Sequence, residues 1–63
     1  MNGRIKIYNS DKKFGFILGE DGNDYFFHIS NVKFINKPVE GAMVEFEPEQ
    51  GERGLVGKNV KIQ

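Results

Sequence analysis

Cysteine and tryptophan are both absent from this 63-residue chain, and histidine occurs once. Without cysteine there is no disulfide staple, no thiol nucleophile and no thiolate-bound zinc, so a reducing compartment suits the chain as well as any other. One histidine is too few for most catalytic or metal-binding constellations. Net charge is also lacking. Nine basic residues balance nine acidic ones, so the molecule cannot coat duplex nucleic acid by charge alone. Apolar runs are short: none approaches the ~20 residues that cross a bilayer, and the amino terminus has neither a basic n-region nor an apolar h-region. The chain reads as a soluble, cytoplasmic protein with no membrane partner. Its length allows one domain, residues 1–63, and a domain of this size buries only about 60% of the surface its unfolded chain exposes.

What the chain does have is unevenly placed. Phe and Tyr make up 13% of it, and Tyr8, Phe14, Phe16, Tyr25, Phe26 and Phe27 all precede Ile29, leaving Phe34 and Phe46 beyond. Charge is divided as well. Residues 1–37 hold six basic and four acidic residues, whereas residues 38–63 hold three and five. Rings and positive charge share the same half.

Eight glycines, two prolines and short polar breaks cut the chain into strand-length pieces, and no stretch shows the i, i+3, i+4, i+7 apolar pattern of an amphipathic helix. Alternation predicts five strands, at about residues 3–8, 13–18, 24–28, 43–47 and 55–62. The first ends at the turn formers Asn9-Ser10-Asp11, and a glycine-containing loop, Gly19 to Asn23, joins the second and third. Ser30 is placed to cap one helical turn. Pro48 is expected to end the fourth strand, and Gly57 to mark a bend or bulge in the fifth. Three strands, a longer connection and two strands fit an all-β, five-stranded antiparallel Greek-key barrel of the OB type; the chain is too short for a sandwich. The expected interior is Ile5, Ile17, Val44, Phe46, Val56, Val60 and Ile62. Simple alternation also turns Ile7 inward and Tyr8 outward.

The second and third strands carry the functional signal. Period-two geometry puts Phe14 and Phe16 on one face and Gly15 and Ile17 on the other. In the third strand Phe26 and His28 share a face opposite Tyr25 and Phe27. With Ile17 and Phe27 inside, three phenylalanines and an imidazole stand outside, near Lys6, Lys12 and Lys13. An exposed apolar cluster of this kind marks a binding surface. Rings flanked by lysines suit single-stranded nucleic acid, because unstacked bases offer π-faces to the rings and ammonium groups hold phosphates. A duplex hides those faces. Edge contacts from groups such as Asp24 and His28 would add little sequence reading. Glu45, Glu47, Glu49 and Glu52 read as a solubilising acidic face on the other side.

At these residues the chain resembles a family. Lys13-Phe14-Gly15-Phe16-Ile17 is similar to the first ribonucleoprotein motif of the bacterial cold-shock domain, and Asp24 to Ser30 is similar to the second. Gly3 to Asn9 resembles the family's opening strand, and Gly51-Glu52-Arg53-Gly54 with Asn59-Val60 its closing turn and strand. The resemblance implies an OB-type barrel that binds single-stranded RNA or DNA, with an RNA-chaperone role. It places stacking rings at Tyr8, Phe14, Phe16, Phe26 and His28, polar contacts at Lys6, Lys12, Asp24 and Arg53, and sets Phe34 against the family's loop aromatic. Three positions depart from the pattern. Ile7 stands where a stacking tryptophan is usual, Ile29 replaces a ring, and Lys13 replaces a glycine. The missing rings are expected to weaken binding by roughly one to three orders of magnitude. The resemblance also puts Ile7 at the binding edge, which requires a bulge near the end of strand one.

No catalytic constellation is suggested, and so small a barrel encloses no substrate; the expected protein is a monomeric non-enzyme without cofactor, metal or small-molecule substrate. Two rival readings stand beside nucleic-acid binding. The same ring cluster suits a protein-interaction module, and the chain also reads as one domain of a longer protein.

Overall fold

Period-two alternation becomes five strands in the computed structural model, which describes residues 1–33 and 38–63. They are β1 (Asn2–Asn9), β2 (Phe14–Gly19), β3 (Asp24–His28), β4 (Met43–Gly51) and β5 (Gly54–Ile62), with a single 3₁₀ turn at Ile29–Asn31. The strands close into a barrel in the order β1-β2-β3-β5-β4. Four contacts are antiparallel. The fifth is parallel, with Phe26 opposite Val56, and closes β3 against β5.

The interior consists of Ile5, Ile17, Tyr25, Phe27, Val44, Phe46 and Val60. Each is the inward member of an alternating pair, and burying a side chain of this size contributes about 1.5–3 kcal/mol. Tyr25 and Phe46 pack with ring centroids 4.9 Å apart. Two expected core residues lie elsewhere. Ile62 is only partly buried against the cluster, and Val56 is half-buried, paired with outward-facing Phe26 across the β3–β5 seam. Val56 belongs to the outer face because it meets β3 where the barrel closes.

Two bulges correct the simple alternation. In β1, Ile5 pairs with Ile17 and Ile7 with Phe16, so Lys6 is the extra residue. Lys6 and Ile7 both face outward, while Tyr8 turns back toward the core and stacks on Phe27 at 6.0 Å. This reverses the alternation at Ile7 and Tyr8 and supplies the bulge that the family pattern requires. The second bulge lies in β5, where Glu45 pairs with Lys61 and Glu47 with Lys58. It centres beyond Gly57, at Asn59, whose φ of 50° is left-handed. Asparagine tolerates that conformation, and its side-chain amide donates to the Glu47 carboxylate.

Pro48 does not end β4, which continues to Gly51. Beyond Phe46, whose backbone still bonds to Met1, the strand pairs with β5 alone, so Pro48 sits on an open edge where a missing N–H is tolerated. Gly15 is required for the approach of β1 to β2. A Cβ there would collide with the Ile7 carbonyl and stand 3.0 Å from the Phe27 ring.

Candidate nucleic-acid interface

Closing the barrel around Ile17 and Phe27 forces their strand neighbours out. Phe16 and Phe26 pair across β2 and β3 and remain 37% and 36% exposed, whereas Phe27 is 0% exposed. Phe14 pairs with His28 one step along. Phe26 is the hub. Its ring lies 5.5 Å from Phe14, tilted by 38°, and 5.9 Å from Phe16 in an edge-to-face contact. These contacts hold the three rings as one surface. Ile7, 51% exposed, extends that surface beside Phe16.

His28 is oriented from behind. Its Nδ1 accepts the Ser30 backbone N–H at 3.1 Å and lies 3.0 Å from the Ser30 hydroxyl. The histidine, not Ser30, therefore caps the 3₁₀ turn. In the neutral ring this acceptor role leaves the proton on Nε2, a donor on the far edge of the ring from the cap. A serine two residues after the histidine was the available sequence signal.

The cations occupy the rim. Lys12 and Lys13 are exposed in the β1–β2 turn. That turn is held by Asn9 Oδ1, which accepts the N–H groups of Asp11 and Lys12 at 3.0 and 3.1 Å. Lys13 has a left-handed φ of 62°, and its carbonyl accepts the Ile29 N–H at 2.9 Å. The bulge sends Lys6 across the outer face to Asp24, 3.2 Å from Oδ2 and 3.4 Å from Oδ1. Both partners are about half exposed, so the pair contributes about 0–1 kcal/mol.

Beside the rings lies an open groove of about 860 Å³, lined by Phe16, Phe26, Val56, Asp24, Glu52 and Arg53 among others. The tight β4–β5 turn carries both Glu52 and Arg53 into it. Glu52 thus leaves the acidic face assigned to it from the sequence. Along β4, Glu45 and Glu47 stand opposite Lys61 and Lys58, which breaks up that face further. Glu52, Gly54, Leu55 and Val56 are the groove residues that the sequence reading missed, since neither the β3–β5 seam nor the position of the turn has a local signal.

The structure therefore brings Phe14, Phe16, Phe26, His28, Lys6 and Asp24 onto one face, with Arg53 in the adjoining groove and Lys12 and Lys13 in the turn beside it. It separates Tyr8, whose ring supports the platform from the core side. Phe34 lies outside the described residues.

Fold and face together define a small OB-type barrel that displays rings and charge on its β2–β3 surface. The model of the 'Cold-shock' DNA-binding domain matches residues 1–63. The chain is 45% identical over 64 residues to Cold shock protein 2 of Lactiplantibacillus plantarum, covering 98% of this chain and 97% of that one. It is 45% identical over 62 residues to Cold shock-like protein CspE of Bacillus anthracis, covering 95% and 92%. Among solved structures it is similar to drosophila Unr CSD456, with a TM-score of 0.75 at 24% identity. That match takes in 98% of this chain and 26% of the larger one. The chain belongs to the cold-shock domain family, whose members bind nucleic acid.

Proposed function

We propose that this protein binds single-stranded RNA or DNA by stacking bases on Phe14, Phe16, Phe26 and His28, with Lys6, Lys12 and Lys13 holding phosphates and Arg53 a further polar contact. Phe16 and Phe26, left exposed on adjacent strands with half-buried Phe14 against them, carry the reading, since exposed rings of this kind are otherwise an unfavourable arrangement. Stacking is worth about 1–3 kcal/mol per base and tolerates any sequence, so a molecule of zero net charge can bind. The surface has no use for a duplex, whose base faces are covered. Holding bases apart from their complements supports an RNA-chaperone role.

NMR titration of the protein with hexamers of thymidine and uridine tests this. Shifts are expected at Phe14, Phe16, Phe26, His28 and Lys12, with log K falling by about 0.7 per phosphate contact for each decade of salt. Phe26→Ala should weaken binding about tenfold while the amide spectrum of the barrel interior persists. Salt-independent binding, or no binding at millimolar hexamer, would instead favour protein docking on the same rings.

A further inference from the structure

Stacking makes no use of the polar lining of the groove beside the rings. Together with Phe16, Phe26 and Val56, two carboxylates, Asp24 and Glu52, and one guanidinium, Arg53, line it. Asp24 begins β3, whereas Glu52 and Arg53 are the two residues of the β4–β5 turn. Asp24 is compensated, because both its oxygens lie within reach of Lys6 Nζ. Glu52 is not. Among the described residues the ion pair is Lys6–Asp24, so the Glu52 carboxylate and the neighbouring Arg53 guanidinium are each without a charged partner, including one another. A carboxylate repels phosphate. If Glu52 helps hold a polyanion, it does so through groups that donate hydrogen bonds, and on single-stranded DNA those are base edges, joined on RNA by the 2′-hydroxyl.

We propose that this groove is a guanine-selecting subsite, with Glu52 as the specificity-determining residue; the inference rests on the stacking reading above. A carboxylate offers two acceptor oxygens side by side, and guanidinium offers paired donors. Guanine alone matches both. Its N1–H and N2–H donors lie together on one edge for Glu52, and its adjoining O6 and N7 acceptors are the pair that Arg reads. Uracil and thymine set a single N–H between two carbonyls, which face a carboxylate unfavourably. Cytosine and adenine each place a ring acceptor beside the amino donor. The guanine ring would lie on Phe16 and Phe26, so that stacking and edge reading act on the same base.

The test compares four DNA hexamers, all thymidine or with one central guanine, cytosine or adenine, by fluorescence anisotropy on the intact protein. The guanine hexamer is expected to bind about tenfold more tightly than the thymidine hexamer, with the cytosine and adenine hexamers close to thymidine. Glu52→Gln should bring the guanine-to-thymidine ratio to about one. Glu45→Gln removes the same charge from a residue that lines a different groove and should keep the ratio. Equal affinities for all four hexamers in the unaltered protein would overturn the proposal and leave the stacking reading standing. A preference that survives Glu52→Gln, or is lost equally in Glu45→Gln, would overturn it too. Failure of every hexamer to bind would remove the stacking reading and this subsite with it.

Discussion

Lys13 sits with a φ of 62°, in the left-handed region where a side chain costs about 1–2 kcal/mol. Glycine adopts that backbone without strain but has more freedom to lose on folding. The balance predicts that Lys13→Gly raises the unfolding free energy by about 0.5–1 kcal/mol, read as a higher urea midpoint at unchanged slope. An unchanged midpoint would mean that the turn carries no strain at this residue. The lysine is in place beside the rings, where its ammonium group can attract phosphate. At Ile7 the trade is different. An aliphatic side chain extends the apolar surface beside Phe16 but has no π-face for a base, so the platform consists of the rings on β2 and β3.

The β2–β3 hairpin is closed by a polar cluster that titrates. Asp21 Oδ2 accepts the Tyr25 hydroxyl at 2.6 Å and the Asn23 side-chain amide at 3.1 Å, while Oδ1 accepts the Asn23 backbone N–H at 3.1 Å. The tyrosine hydrogen bond, followed by the backbone one, holds the Asp21 carboxyl below its usual 3.8. The same hydrogen bond, aided by burial, pushes the Tyr25 hydroxyl above its usual 10.0. A lowered carboxyl pKa stabilises the fold above the unfolded value and loses that contribution as pH falls through the folded one. For the raised tyrosine, stability is present below pH 10.0 and is lost as pH climbs through the folded value. Asp21→Asn should therefore lower the urea midpoint at pH 7, with the gap to the unaltered protein narrowing below pH 3.8. A gap that stays constant to pH 2 would rule out this linkage.

Across the whole molecule, stability rests on very few side chains. At about 0.05–0.15 kcal/mol per residue, a domain of this length has roughly 3–9 kcal/mol. Ile17 is fully buried in the barrel interior. Ile17→Ala is expected to cost about 2–5 kcal/mol, enough to unfold a large share of the molecules at 25 °C by circular dichroism. Phe26→Ala should melt much closer to the unaltered protein, and the reverse ranking would invert the inner and outer faces. Charge is also organised at this scale. Each half of the sequence pairs charges internally: Lys6 meets Asp24 within residues 1–37, and lysines on β5 oppose glutamates on β4 within residues 38–63.

Alternation over Phe14 to Leu18 and Asp24 to His28 was sufficient to sort Ile17 and Phe27 from Phe14, Phe16, Phe26 and His28. Side-chain direction in a regular strand has a period of two and needs no tertiary information. The same rule failed at Ile7 and Tyr8, because the extra residue at Lys6 belongs to the curvature by which β1 joins both β2 and β4. The expectation that Pro48 ends β4 failed because whether a strand has one neighbour or two depends on distant chain. Val56 joined the outer face for a similar reason, through a seam that exists only once β5 returns alongside β3. Glu52 entered the groove because the length and register of the β4–β5 hairpin decide where its turn points. The sequence by itself determined the strands and the two faces of β2 and β3. Closure of the barrel decided what stands beside the rings, since bulges, seams and turn positions are set by pairing between residues far apart in the chain.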